Sequence, residues 1–120
     1  MTRILVVRHA QQERDGADGP LTALGEAQAA ATAPAVDLNQ SDRLVSSSLL
    51  RAVQTASALG RTSERIPDLD EFRFGPQWSW TRAEDREDLT LWRPEDRVAG
   101  GESLREFQGR VEGALQSLPG

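Results

Sequence analysis

The stretch that decides the fold is Ile4-Leu5-Val6-Val7-Arg8-His9, an unbroken aliphatic run closed by one cationic side chain and one imidazole. Four consecutive aliphatic residues without alternation are typical of a strand that is buried on both faces, as in a parallel sheet. In open parallel sheets, ligands bind beyond the carboxyl ends of the strands. The run therefore predicts a central strand that delivers Arg8 and His9 to a binding edge.

Outward from this run, predicted strands and helices alternate along the chain. Alternation of this kind indicates the α/β class with a mainly parallel sheet, and we take residues 1–120 as one domain. After a loop at Gln11–Pro20, we predict a helix over Leu24–Ala33 that is capped by Thr22 and limited by Pro34, and then a strand at Arg43–Ser46. A second helix, capped by Ser46–Ser48, runs to about Leu59 and is stopped by Gly60, and a short strand follows at Ile66–Leu69. Capping boxes are predicted at Thr81–Glu84 and at Ser103–Glu106, and the second of them begins a helix with the apolar stripe Leu104, Phe107, Val111, Leu115 and Leu118.

Composition limits the partners of the chain. Hydrophobic residues make up 38% and charged residues 28%, as in a soluble globular domain, and no apolar run suggests a membrane span or a secretory signal, so we expect a cytoplasmic protein. The net charge of −5 argues against nucleic acid or an anionic membrane as the main partner. With no cysteine and one histidine, disulfides and multi-histidine metal sites are excluded, and we expect no metal and no cofactor.

Polar side chains also follow the second predicted strand. Ser46–Ser48 lies at the start of the next predicted helix, and Arg51 lies in its first turn. The N-terminus of a helix favours a bound anion, and one guanidinium group can donate two parallel hydrogen bonds to the oxygens of a phosphate. We therefore expect Arg8, His9 and Arg51 to meet around one phosphate group. Each feature alone also has an ordinary structural interpretation, as a lone histidine, a solvated arginine or a serine cap.

Five segments, in this order, resemble the signature of the histidine phosphatase (phosphoglycerate-mutase-like) superfamily. The resemblance covers nearly the whole chain, and its strength lies in the combination of segments. They are the Arg-His segment Val6–Gln12, the LTxxGxxQA segment Leu21–Ala29, the SSxLxRAxQTA segment Ser46–Ala56, the LxExxxG segment Leu69–Gly75, and the GGESLxxFxxRV segment Gly100–Val111.

The resemblance implies a three-layer αβα sandwich and phosphoryl transfer through a phosphohistidine. By position, His9 would be the nucleophile, and Arg8 and Arg51 would bind the phosphoryl oxygens. Glu71 would be the general acid that protonates the leaving alkoxide. This chemistry is covalent catalysis by an imidazole, with the developing charge compensated by arginines.

The resemblance also assigns residues around the reacting groups. Gln11 and Asp15 occupy positions that line the substrate mouth in the family. Trp78 and Trp80 could supply an apolar wall beside Glu71, although ordinary core packing explains them as well.

The sequence departs from the family pattern at two places. Ala10 stands where the signature has glycine, and the second histidine, which the family carries on a later strand, is absent, since His9 is the sole histidine. The resemblance places that later strand beside the first one, so we expect an incomplete sheet with an unpaired edge at Ile4–Val7. We expect either that the chain is cut before that strand or that it forms a homodimer that covers the edge.

Several functions stay open at this point. A phosphomonoester phosphatase with a small phosphorylated substrate is favoured over a phosphoglycerate-mutase-type isomerase, because no long insertion between Arg51 and Glu71 encloses the site. A catalytically inactive phosphate-binding or interaction module is the alternative that keeps Arg8, His9 and Arg51. A response-regulator-like domain is disfavoured, because the first predicted strand ends in Arg-His and not in carboxylates.

Overall fold

The computed structural model describes residues 3–13, 18–75, 82, 84–85 and 91–118. The chain divides into two compact units, Met1–Asp70 and Glu71–Gly120. That residues 1–120 form a single domain stays a prediction. Within the described residues, no helix combines the length and the apolar character that a membrane crossing requires.

The first unit is an α/β arrangement around a short parallel sheet. Val45 pairs with Glu64 and Ser46 with Arg65, and the second helix packs against both the first helix and the sheet. The parallel pairing confirms the predicted α/β class. In chain order the elements are helix α1 at Ala23–Val36, strand β1 at Val45–Ser46, helix α2 at Leu50–Ser57, strand β2 at Glu64–Arg65 and a 3₁₀ turn at Pro67–Leu69.

Helix α1 begins as predicted and ends later than predicted. The Thr22 hydroxyl accepts a hydrogen bond from the Gly25 N–H at 2.9 Å, which confirms the N-cap. Pro34 does not limit the helix, which continues to Val36. Pro34 lies in the last turn, where its missing N–H removes one intrahelical bond, and the helix ends at Asp37, whose φ of 50° is left-handed.

The predicted serine cap of α2 is wrong, because the N-cap residue is Leu49 and makes no side-chain capping bond. The hydroxyls of Ser46 and Ser48 have partners from elsewhere in the chain, whereas that of Ser47 accepts from the Leu49 N–H at 3.3 Å. Ser46 pairs with the hydroxyl of Ser63 at 2.7 Å. Gly60 follows the helix at a φ of 109°, which agrees with the predicted stop.

The predicted strand at Ile66–Leu69 is also wrong, since β2 lies two residues earlier at Glu64–Arg65. The reason is local: Pro67 has no N–H to donate to a ladder, and it begins the 3₁₀ turn instead. The parallel register is therefore completed before the proline.

The segment Ile4–Val7 is not the buried strand that the sequence predicts. The exposed fractions are 54% for Ile4, 61% for Leu5, 84% for Val6 and 39% for Val7, and the segment forms no strand pairing with the described residues. A buried parallel strand needs neighbours on both sides, and β1 and β2 are the strands that pair in the described part of the chain.

The second unit contains helix α3 at Leu104–Gln116, which begins with the predicted capping box. The Ser103 hydroxyl accepts from the Glu106 N–H at 3.1 Å, and the Glu106 carboxylate accepts from the Ser103 N–H at 2.9 Å. The apolar stripe is only half-buried: Phe107 is partly covered, whereas Leu115 is 38% exposed.

An aromatic cluster forms the apolar part of this unit. Phe72 is buried, and its ring packs edge-to-face against three other rings. The distances between ring centres are 4.6 Å to Phe74, 5.7 Å to Trp92 and 5.6 Å to Phe107. These pairs fix the chain around residue 72. The predicted cap residue Thr81, and the wall assigned to Trp78 and Trp80, lie outside the described residues.

Candidate active site

The ring of His9 is oriented by the residue that follows it. Its Nδ1 lies 2.7 Å from the carbonyl oxygen of Ala10. A carbonyl oxygen can only accept a hydrogen bond, so Nδ1 carries the proton in this arrangement. In the neutral ring, Nε2 then holds the free lone pair. The contact therefore selects the tautomer that an attacking imidazole needs.

The N–H of Ala10 is held in turn by helix α2. It donates to the hydroxyl of Thr55 at 3.0 Å, and that hydroxyl donates to the carbonyl oxygen of Arg51 at 2.8 Å. All three residues are buried, at 9%, 6% and 7% exposure. Two hydrogen bonds thus join the peptide after His9 to the first turn of α2, so the structure links the segments that carry His9 and Arg51.

Two glutamines of the signature segments hold the same part of the chain. The amide oxygen of Gln28 accepts from the Gln11 N–H at 3.1 Å, and that of Gln54 accepts from the Leu21 N–H at 2.7 Å. Our sequence reasoning assigned these glutamines no role. No short sequence pattern identifies these roles, because the packing of the helices decides which backbone group each amide oxygen meets.

Gln11 itself packs closely against α1. Its carbonyl oxygen accepts from the Thr22 N–H at 3.0 Å, and its side-chain oxygen accepts from the Thr22 hydroxyl at 2.8 Å. A Cβ atom on Gly25 would lie 2.0 Å from the Gln11 carbonyl oxygen, so only glycine permits this approach. The expected place of Gln11 at a substrate mouth stays a prediction, and Asp15 lies outside the described residues.

The N-terminus of α2 is already occupied by carboxylates of the protein. Asp70 accepts from the N–H and the hydroxyl of Ser48 at 2.7 and 2.8 Å, and Asp18 accepts from the Leu50 N–H at 2.5 Å. Carboxylates of the protein therefore already bind two N–H groups at the start of this helix, where an anion was expected.

Arg8 and Arg51 differ in burial. Arg51 is 7% exposed, whereas Arg8 is exposed. Neither arginine lines the cavity of about 120 Å³ that one edge of His9 contacts. That cavity is mostly apolar, which is a poor environment for a phosphate. Its lining consists of Leu5, Val7, His9, Leu44, Val45, Ser46, Ala52, Thr55, Ala56 and Leu59.

Glu71 belongs to the second unit, where its backbone is held and its side chain is exposed. The Arg110 guanidinium donates to the Glu71 carbonyl oxygen at 3.3 Å. The Glu102 carboxylate accepts from the Arg73 N–H at 2.9 Å, and the Arg73 carbonyl oxygen accepts from the Glu102 N–H at 2.8 Å. These bonds anchor the chain on both sides of Phe72.

Opposing effects act on the pKa of the Glu102 carboxylate in this anchor. Burial tends to raise its pKa, but the hydrogen bonds from Arg110 and from the Arg73 N–H outweigh that effect. The pKa of Glu102 therefore lies below its usual range. The carboxylate stays ionised and keeps accepting hydrogen bonds at neutral pH.

Comparison with known proteins identifies the family. Residues 4–120 match the histidine phosphatase superfamily (branch 1). The chain is 30% identical to the probable phosphoglycerate mutase GpmB of Proteus mirabilis (strain HI4320) over 135 aligned positions, which cover 98% of the chain and 63% of that protein. The chain thus spans less than two thirds of the length of this curated relative.

Solved structures share the fold. The crystal structure of TTHB049 from Thermus thermophilus superposes with a TM-score of 0.73 at 35% identity, covering 95% of this chain and 71% of that one. The mycobacterial glucosyl-3-phosphoglycerate phosphatase in complex with VO3 superposes with a TM-score of 0.75 at 27% identity, covering 92% and 63%.

In the first unit, a histidine follows the first extended segment, and buried hydrogen bonds join the residue after it to the helix that carries Arg51. The chain belongs to the histidine phosphatase superfamily, branch 1, which is a family of enzymes.

Proposed function

We propose that this chain carries the nucleophile of a phosphomonoester phosphatase that works through a phosphohistidine on His9. The observation that carries the proposal is the 2.7 Å contact between Nδ1 of His9 and the Ala10 carbonyl oxygen, which leaves Nε2 free to attack. Family membership supports the same reaction class. A small phosphorylated substrate and a cytoplasmic location complete the proposal.

In the first step, Nε2 of neutral His9 attacks phosphorus, and a P–N bond forms as the P–O ester bond breaks. Arg8 and Arg51 compensate the charge on the non-bridging oxygens. Glu71 gives its proton to the leaving alkoxide. In the second step, water attacks phosphorus, a P–O bond forms as the P–N bond breaks, and the electron pair returns to Nε2. The proton of the water passes to the Glu71 carboxylate, and inorganic phosphate leaves.

The roles differ in the support that the described residues give them. The tautomer of His9 and the burial of Arg51 on the linked helix favour their assignments. Arg8 and Glu71 are exposed, and their roles rest on the resemblance of their segments. Gln11 is proposed at the substrate mouth on the same basis.

A mutase is the second candidate, and the name of a relative favours it. The Proteus mirabilis protein is a probable phosphoglycerate mutase, whereas the mycobacterial structure is that of a phosphatase. The products separate the two activities. A phosphatase releases inorganic phosphate in step with substrate loss, whereas a mutase returns an isomeric phosphate ester.

The experiment is single-turnover labelling of the full chain with an aryl phosphate, with acid-labile phosphate and released phenol measured together. We expect both in the native chain, none after His9→Ala, and weaker substrate binding after Arg51→Ala. Arg43→Ala is the matched control, since Arg43 is an exposed arginine paired with Glu64. No acid-labile phosphate and no phenol from the native chain would identify an inactive module and overturn the proposal.

A further inference from the structure

One buried hydroxyl connects the two segments on which the proposed chemistry depends. The Thr55 oxygen accepts from the Ala10 N–H at 3.0 Å and donates to the Arg51 carbonyl oxygen at 2.8 Å. A hydroxyl has one proton and two lone pairs, so a single oxygen can make both bonds at once. Thr55 is 6% exposed, so water cannot readily replace either bond.

Residue Ala10 transmits this restraint to the imidazole. Its N–H, in the His9–Ala10 peptide, is bound by Thr55, and its carbonyl oxygen, in the Ala10–Gln11 peptide, accepts from Nδ1 of His9 at 2.7 Å. Gln28 holds the second peptide through the Gln11 N–H, so loss of the Thr55 bond frees the first peptide and the His9 backbone, which weakens the contact between Nδ1–H and the carbonyl oxygen. The ring would gain access to the other tautomer, in which Nε2 is protonated and cannot attack.

We propose that Thr55 is a positioning residue that fixes the tautomer and orientation of the His9 ring through Ala10 and fixes the position of this ring relative to Arg51. The inference rests on the proposed function for its kinetic consequence, but its structural consequence does not. The hydroxyl contacts no reacting atom. Its effect on the chemistry runs through the backbone of Ala10 and through the backbone of α2, which carries Arg51.

A bond from a threonine hydroxyl to the carbonyl oxygen four residues earlier is common in helices and has no functional meaning by itself. Thr32 makes that bond to Gln28 at 2.9 Å in α1. Thr55 differs because it accepts a second bond from a residue 45 positions away, next to the candidate nucleophile. Thr32 therefore serves as the matched control.

The test compares Thr55→Val, which is nearly isosteric but has no hydroxyl, with Thr55→Ser, which restores the hydroxyl, and with Thr32→Val. Because His9 is the sole histidine, ¹⁵N spectra of the full chain report its tautomer without overlap. We expect the Nδ1–H form in the native chain, in Thr55→Ser and in Thr32→Val, and a mixture of both forms in Thr55→Val. The rate of His9 phosphorylation should fall about tenfold to a hundredfold in Thr55→Val alone, with little change in KM.

Two results would overturn the inference. One is a folded Thr55→Val chain whose ¹⁵N spectrum matches that of the native chain, and the other is a change of equal size in Thr32→Val. Thr55→Ala replaces the valine variant if the latter does not fold. Absence of labelling in the native chain would refute the proposed function, whereas the ¹⁵N comparison would still decide the role of Thr55.

Discussion

The Glu102 carboxylate accepts two hydrogen bonds from the Arg110 guanidinium, at 2.5 and 3.2 Å, and the side chains are only 12% and 10% exposed. The same guanidinium lies 5.2 Å from the centre of the Phe107 ring. It also donates to the Glu71 carbonyl oxygen. The pair therefore joins helix α3 to the segment that carries the candidate acid.

Removal of the arginine should strongly destabilise the protein. Arg110→Leu leaves the Glu102 carboxylate covered and without its main partner, so we expect a loss of about 2 kcal/mol in the free energy of unfolding. Arg43→Leu is the control, because the Arg43–Glu64 pair is exposed on both sides and its removal should change stability much less. Urea unfolding of the three chains measures the difference, and equal midpoints for the two variants would contradict the prediction.

The same pair predicts how stability depends on pH. Because the folded-state pKa of Glu102 is lowered, its contribution is fully present above the unfolded-state value of about 4.3 and is lost as the pH falls through the folded value. The native chain should therefore exceed Glu102→Gln in stability by a constant amount above about pH 5, and the gap should close in more acidic solution. Thermal unfolding at several pH values tests this, and a gap that widens towards low pH would have the wrong sign.

Gly25 should not tolerate a side chain. The added Cβ of Gly25→Ala would meet the backbone oxygen of Gln11 at 2.0 Å, so α1 or the 10–13 segment must shift, at a cost of about 2 kcal/mol. Gly113→Ala in α3 is the matched control, since a Cβ there meets nothing within 4 Å. That variant should gain about 0.5–1 kcal/mol through helix propensity. Equal stability of the two variants would show that the Gly25 contact is not tight.

The homodimer expected from the sequence stays a prediction, and the exposed segment Ile4–Val7 is where it can be tested. Light scattering after gel filtration should detect a dimer of the native chain, and Val6→Lys should shift it to monomer, because a lysine opposes edge pairing. Leu91→Lys changes a similarly exposed apolar residue, at 78%, and should leave the dimer intact. A native chain that is monomeric at high concentration would end this hypothesis.

Local patterns predicted the helices best. The caps at Thr22 and Ser103 were both found, because a capping bond joins residues only three positions apart. The serine cap predicted for α2 was wrong for the opposite reason. Its N-terminal N–H groups are bound by Asp18 and Asp70, which lie 32 and 22 positions from their partners, and no short window of sequence contains such a pairing.

In the candidate site, too, the sequence predicted what local segments carry and did not predict which distant residues contact each other. The sequence identified His9, Arg51 and Glu71 through segments that resemble a family, and membership in that family is confirmed. It offered no reason to single out Thr55, Gln28 or Gln54. Their role is to satisfy backbone groups of the 10–21 segment, and which group meets which side chain depends on how the helices pack.

By itself, the sequence determined the family, the α/β class and the helix boundaries that capping bonds control, because each depends on residue types at fixed short spacing. Only the tertiary structure decided the exposure of Ile4–Val7, the tautomer of His9 and the closure of the α2 N-terminus by carboxylates. The physical reason is that strand burial and hydrogen-bond partners are set by neighbours in space, which the order of residues along the chain does not specify.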